Sequence, residues 1–323
     1  MMDIRRKVLN GVRRIVAPTS EGWYRGGLPL LDAGSANGLL HRAMLADEPF
    51  MAARFGSVEI KPTLYYLLLK DMGLWRRCIN YVRGDIDYVF DDERYIRFIL
   101  GNMCTFAGFF PGDEVLMERF AHLMDNDMKE MDLCGCWLNE KLLRDRLAPE
   151  VQFCELGALE PYDQDIPWTG ALAGKRVLVV HPFATSIRSQ YERRQRIWPG
   201  REVLPDFELK TLRAVQSIAG ERTDFTDWFE ALESMKSGMD AVEYDVALIG
   251  CGAYGMPLAA HAKRTGHKAV HLGGPLQILF GIKGKRWDDL PSVSGYYNDA
   301  WIYPLAAETP SGSGAVEGGC YWK

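Results

Sequence analysis

Tyr244 to Trp287, YDVALIGCGAYGMPLAAHAKRTGHKAVHLGGPLQILFGIKGKRW, is the stretch whose reading decides the fold. The pattern predicts a buried strand from Asp245 to Ile249, a glycine turn (Gly250, Gly252, Gly255) and a helix from Tyr254 to Thr265. A second strand from Lys268 to Leu272 follows, then the pair Gly273 and Gly274 and a short helix that ends in a basic loop. Each strand empties into glycines, where a ligand meets bare backbone.

Gly250-Cys251-Gly252-Ala253-Tyr254-Gly255 has the G-x-G-x-x-G spacing of a dinucleotide turn, set between strand and helix. An NAD site also wants an acidic residue at the end of the next strand, about 20 residues on, to bind the ribose hydroxyls. His271-Leu272-Gly273-Gly274 stands there instead. No NAD is therefore expected, and the glycines read as a turn close to a phosphate or nucleotide. An NAD(P)-dependent oxidoreductase is the alternative.

Outward from this unit, Lys175 to Pro182 is a continuous apolar strand stopped by proline, and Phe207 to Val215 alternates like a strand. Asp224 to Met239 places Trp228, Leu232 and Met235 on one helical face. The succession predicts an α/β, Rossmann-like fold, a mainly parallel sheet with helices on both faces, plus a largely helical N-terminal part. Residues 155–174, with two prolines and three glycines, make the best boundary. Three parts are expected: 1–170, mostly helical; 171–290, Rossmann-like; and 291–323, a structured tail on the α/β part, because Trp301, Tyr303, Tyr321 and Trp322 suit a packed segment. Within the first part a glycine-punctuated loop (Gly22, Gly26, Gly27, Gly34) leads to a helix near Asn37 to Leu45. Pro49 to Glu59 reads as a core strand delivering polar side chains to its carboxyl end, and Leu64 to Lys141 has helical periodicity.

With 323 residues, 47% hydrophobic and 25% charged, the composition is that of an ordinary globular protein. A net charge of −5 argues against nucleic acid as a partner, and no stretch is apolar and long enough for a transmembrane helix. The seven cysteines are odd in number, scattered and without a C-x-x-C pair, which fits reduced thiols and a cytoplasmic location. Near the N-terminus Ile4, Val8, Val12 and Ile15 recur at helical spacing opposite Arg5, Arg6, Arg13 and Arg14. That stripe is expected to dock on the protein's own body, with membrane-surface binding as the alternative.

Four groups converge on the carboxyl edge of such a sheet. They are Arg54-Phe55-Gly56-Ser57-Val58-Glu59; His181 with Arg188 and Gln190; the Gly250 to Gly255 turn with Ala253 and Tyr254; and Gly273, Gly274, Gln277, Lys283, Arg286 and Trp287. Helix N–H groups with Lys and Arg make an anion site of diphosphate size. Each group also has a plainer reading. For Arg54 and Glu59 it is a structural ion pair, for His181 a satisfied core histidine, for Arg188 part of a solvated face and for Trp287 packing.

Arg54-Phe55-Gly56-x-x-Glu59, Gly252-Ala253-Tyr254-Gly255-x-Pro257, His271-Leu272-Gly273-Gly274-x-x-Gln277 and Gly284-Lys285-Arg286-Trp287 together resemble the GT-D-type glycosyltransferases of bacterial polysaccharide and glycoprotein assembly. The resemblance covers residues from about Lys175 to Trp301 and, before them, the short motif at Arg54. It implies a nucleotide-sugar donor, a carbohydrate or glycoconjugate acceptor hydroxyl, and a catalytic set of Glu59, Arg54 and Ser57. Family members carry Asp-x-Glu after Arg-Phe-Gly, associated with a divalent metal; here Ser57 stands in place of that Asp while Glu59 matches the Glu. Serine is a poor ligand beside a carboxylate, which weakens the case for Mn²⁺ or Mg²⁺. Either Glu59 and the diphosphate hold a metal loosely, or Lys and Arg neutralise the leaving group. A non-catalytic nucleotide-sugar-binding protein of the same fold stays open beside the enzyme.

Overall fold

The computed structural model describes residues 2–17 and 27–323. Eight strands form one all-parallel sheet: β1 (Leu30–Leu31), β2 (Phe50–Arg54), β3 (Leu133–Cys136), β4 (Gln152–Glu155), β5 (Arg176–His181), β6 (Glu208–Arg213), β7 (Val246–Ile249) and β8 (Lys268–His271). Their order is β1-β4-β3-β2-β8-β7-β5-β6. The helices are α1 (Met2–Val16), α2 (Ala33–Leu45), α3 (Ile60–Leu64), α4 (Leu74–Val82), α5 (Asp92–Phe106), α6 (Glu114–Asp127), α7 (Ala184–Tyr191), α8 (Arg194–Ile197), α9 (Trp228–Asp240), α10 (Gly255–Arg264), α11 (Leu276–Leu279), α12 (Lys285–Asp288) and α13 (Pro291–Ser294).

The central strands are apolar throughout because both faces are covered, and successive side chains enter opposite cores. Met51, Ala53, Leu178, Val180, Ala247 and Ile249 join one core with α3, α5, α6, α9 and α10. Phe50, Ala52, Val177, Val179, Val246 and Leu248 join the other with α2, α7, α11 and the tail. Each fully buried Val or Leu contributes about 1.5–3 kcal/mol of transfer free energy, so a one-residue register slip in β5 or β7 would exchange every such partner.

The α/β class is as the sequence predicts, but the sheet is not confined to residues 171–290. Half of its strands, β1 to β4, come from the first 170 residues, and β2 pairs directly with β8 through Phe50–Lys268, Met51–Ala269 and Ala52–Val270. Helical periodicity across Leu64 to Lys141 hides β3, and the proline- and glycine-rich stretch 155–174 is a run of short 3₁₀ turns with Trp168 and Leu172 fully buried beneath α2. Its density of Pro and Gly signals turning rather than separation. Trp301, Val316 and Trp322 of the tail are buried in the second core. Gly22 and Gly26 of the glycine-punctuated loop lie outside the described residues.

Helix α1 departs from expectation. Its half-buried side is Leu9, Asn10 and Arg13. Arg13 donates to the Ile86 carbonyl at 3.0 Å and lies 4.6 Å from the Tyr81 ring centre on α4, and the Tyr81 hydroxyl donates to Asn10. The Ile4, Val8, Val12 and Ile15 stripe, expected to dock on the body, faces solvent. The polar edge wins the contact because it offers a guanidinium and an amide to groups of α4 and its following loop that need partners.

Candidate functional site

A cleft of about 500 Å³ runs across the carboxyl ends of β3, β2, β8, β7, β5 and β6. The crevice beyond these ends, where neighbouring strands send their connections in opposite directions, is where open parallel sheets hold ligands. Arg54, Gly56, Ser57 and Glu59 enter it from β2, His181 from β5, Gly250, Gly252 and Tyr254 from β7, and His271, Gly273, Gly274, Gln277 and Arg286 from β8 onward.

Arg54 is the last residue of β2, in register with Gly135 of β3. Its Nε donates to the Phe55 carbonyl at 3.1 Å and its guanidinium lies 5.1 Å from the Trp137 ring centre. Trp137 is fixed in turn: its Nε1 donates to the same Phe55 carbonyl at 2.9 Å. The buried Glu140 carboxylate also accepts the Trp137 and Leu138 backbone N–H groups at 3.2 and 2.8 Å. Burial lowers the pKa of the Arg54 guanidinium, with Glu59 and Tyr321 opposing, and a guanidinium so placed stays charged.

Glu59 opens α3 and folds its carboxylate back over Gly56, where a Cβ would stand 1.8 Å from Oε2. A side chain at position 56 would therefore push the carboxylate out of this position. Burial raises the Glu59 pKa above the usual carboxylate range, while backbone N–H groups and Arg54 pull the other way. The two charges attract across the cleft without closing an ion pair within 4.0 Å, so the structural ion-pair reading does not describe them.

The glycine turns crowd together. A Cβ on Gly250 would meet the Gly273 carbonyl oxygen at 2.6 Å and His181 at 2.9 Å; one on Gly273, which has φ +68°, would meet the Arg54 Nη1 at 2.7 Å. His181 accepts the Phe183 N–H on Nδ1 at 3.0 Å, which fixes Nε2 as the proton-bearing nitrogen. Desolvation lowers the pKa values of both His181 and His271 to about 3, so both are neutral donors or acceptors at neutral pH. His271 Nδ1 is buried and has no hydrogen-bond partner among the described residues. At the mouth Arg286 donates to the Tyr321 hydroxyl at 3.3 Å and pairs with Glu317. Burial works against its charge, but Tyr321, Cys320 and Glu317 outweigh that and raise its pKa.

Several residues named from sequence stand outside the lining. Gln190 is buried and donates to the Gly281 and Ala300 carbonyls at 3.1 and 2.9 Å, tying α7 to the tail. Arg188 lies on the exposed side of α7, and Lys283 stands over the Tyr303 ring at 4.6 Å. Trp287 packs beneath Gly274, and Ala253 is buried behind the turn. Gly255 makes room for His271, whose Nε2 would lie 2.0 Å from a Cβ at that position. Gln277 reaches the lining, but its amide holds the Lys283 and Tyr321 carbonyls at 3.0 and 3.2 Å.

The far wall is made by residues no sequence motif marks: Phe106 to Gly108, Val215 to Ile218, Trp137 and the tail residues Tyr321 and Trp322. Ser217 fixes this wall by donating to the Gly108 carbonyl at 2.5 Å, and Tyr254 supports it by stacking on Trp228 with ring centres 4.8 Å apart. Among the described residues, no three His, Cys, Asp or Glu side chains gather to hold a metal ion, and all seven cysteines are free thiols. No described helix is long and apolar enough to cross a membrane.

No protein-family model matches the sequence, and no curated protein matches it. A solved structure of a highly conserved domain of unknown function 1792, described as having a distinct glycosyltransferase fold, is similar over 93% of this chain and 96% of its own, at 12% identity and a TM-score of 0.37.

Proposed function

We propose that this chain transfers a sugar from a nucleotide-sugar to an acceptor hydroxyl in surface-polysaccharide or glycoconjugate assembly. The observation that carries the proposal is the convergence of a buried carboxylate (Glu59), two guanidiniums (Arg54 and Arg286) and bare glycine turns on one cleft of about 500 Å³, a volume suited to a small ligand. Of the motif residues that resemble GT-D-type glycosyltransferases, Arg54, Glu59, Gly252, His271, Gly273 and Arg286 line that cleft, although Glu59 and Gly252 are far apart in sequence.

The chemistry follows from the charges. Glu59 takes the proton of the acceptor hydroxyl, whose oxygen attacks the anomeric carbon as the bond from that carbon to the diphosphate oxygen breaks. Arg54 and Arg286 offset the charge that builds on the departing diphosphate, and the N–H groups of the glycine turns add to them. Neutral His181 supplies a hydrogen-bond donor rather than a cation. Trp137 and Tyr321 offer ring faces to the base or sugar. A tightly held divalent ion does not fit the donor set: Ser57 replaces a carboxylate, and burial biases Glu59 toward its protonated form. The guanidiniums therefore carry the leaving-group charge.

Glu59→Gln keeps shape and removes the base, so transfer falls by about 10²–10⁴-fold while binding of nucleoside diphosphate is retained. Because Glu59 must be ionised to act, wild-type turnover rises with pH through its raised pKa, and the variant's residual rate loses that dependence. A thermal-shift screen against UDP, GDP and NAD(P)H, followed by turnover with the matching nucleotide-sugars, tests both parts. Stabilisation by NAD(P)H alone would return the dinucleotide reading, and near wild-type turnover in Glu59→Gln would remove the base assignment.

A further inference from the structure

Helix α1 is mounted with its polar side toward the protein and its apolar side toward solvent. Leu9, Asn10 and Arg13 are its half-buried residues, and the bonds of Asn10 and Arg13 to Tyr81 and Ile86 fix that side against α4. On the opposite side Ile4, Val8 and Ile15 are 68, 60 and 83% exposed, and Val12 and Val16 complete an unbroken aliphatic stripe. Exposed Arg5 borders the stripe on one edge and Arg14 and Lys7 lie along the other. In sequence the helix holds five cationic residues and one acidic residue, a net charge of +4 in a chain whose total is −5.

We infer that this face of α1 is a docking surface for an anionic phospholipid bilayer. A convex aliphatic ridge flanked by cations matches a planar interface, in which the aliphatic side chains enter the acyl boundary and the arginines extend to the phosphates. Helix α4, on which α1 lies, adds exposed Trp75 (77%) and Leu74, and Trp is suited to the headgroup level. A second copy is the weaker occupant, since it would bring one +4 helix against another. The helix is too short and too charged to span, so the protein lies on the surface rather than in it. This surface is separate from the cleft and does not depend on the glycosyl-transfer proposal.

The test is co-sedimentation of the full chain with vesicles of phosphatidylcholine alone and of equal parts phosphatidylcholine and phosphatidylglycerol. The wild type sediments with the anionic vesicles and much less with the zwitterionic ones. Val8→Asp and Ile15→Asp each lower the bound fraction about tenfold or more, with melting temperatures unchanged because both positions face solvent. Arg14→Glu lowers binding to anionic vesicles alone. Wild-type protein left in the supernatant with both vesicle types overturns the inference. So does a dimer, seen by light scattering, that Val8→Asp dissociates while lipid binding is absent, which would give the stripe to a second copy. Binding undiminished by both aspartate variants would place the lipid contact elsewhere and overturn it as well.

Discussion

Gly255→Ala is expected to destabilise the protein through a single neighbour, His271. A Cβ at position 255 would stand 2.0, 2.4 and 2.6 Å from Nε2, Cδ2 and Cε1 of that ring, so the methyl and the imidazole cannot share the space. The ring is buried on the strand beneath and can give way only by turning toward the cleft, which puts the cost within the overpacking range, about 3 kcal/mol. Unfolding entropy of about 2.1 cal/mol/K per residue amounts to about 0.7 kcal/mol/K for 323 residues, so Tm falls by about 4 °C. His271→Ala alone costs about 2 kcal/mol, since the lost packing is partly offset by removal of an unpartnered buried nitrogen. In the double variant the new methyl occupies part of the vacated volume, and the two losses fail to add by about 3 kcal/mol. Scanning calorimetry of the four proteins measures this coupling. A wild-type Tm for Gly255→Ala, or strictly additive losses, would refute the assignment of Gly255 to ring clearance and reopen it as a ligand-facing glycine.

Three further outcomes are expected. His181 and His271 have folded pKa values of about 3, below the ordinary 6.5, so they favour the fold fully above pH 6.5 and lose that contribution as pH falls toward 3; each steepens the acid loss by up to about 1.4 kcal/mol per pH unit, and His181→Gln should remove one such increment from urea-unfolding free energies across that window. Arg54→Lys loses the planar fork held over Trp137, and calorimetric affinity for UDP or GDP falls about tenfold; unchanged Kd would move the diphosphate away from β2. Ser57→Asp places a second carboxylate beside Glu59, so Mn²⁺ at a hundredfold excess over its Kd should stabilise the variant by about 2.7 kcal/mol, roughly 4 °C, and the wild type by much less; equal shifts would show that Ser57 is not where a metal is lost.

The sequence exposes β2, β5, β7 and β8 because each is a continuous apolar run ending in glycine, proline or arginine, which is what burial on both faces requires. It conceals β1, β3 and β4. These are two to four residues long, β3 reads Leu-Cys-Gly-Cys, and they are strands only because a neighbouring edge completes their hydrogen bonds. The near wall of the cleft was legible for the same reason as the long strands, since glycines and charges at strand ends are local signals. Phe106 to Gly108, Val215 to Ile218 and Tyr321 come from loops and the tail, where only the topology brings them together. Helix α1 shows a further limit: periodicity reveals an apolar stripe but not what lies opposite it.

The pairing of β2 with β8 also sets when the cleft can exist. As the chain leaves the ribosome, β1 to β4 emerge first, and the flank of β2 stays an open parallel edge until β8 follows. The wall made by Val316, Glu317, Tyr321 and Trp322 comes later still. A nascent chain thus carries Arg54 and Glu59 with only part of the facing wall, Phe106 to Gly108 and Trp137, and the order of synthesis itself keeps the cleft incomplete until residue 322 is in place.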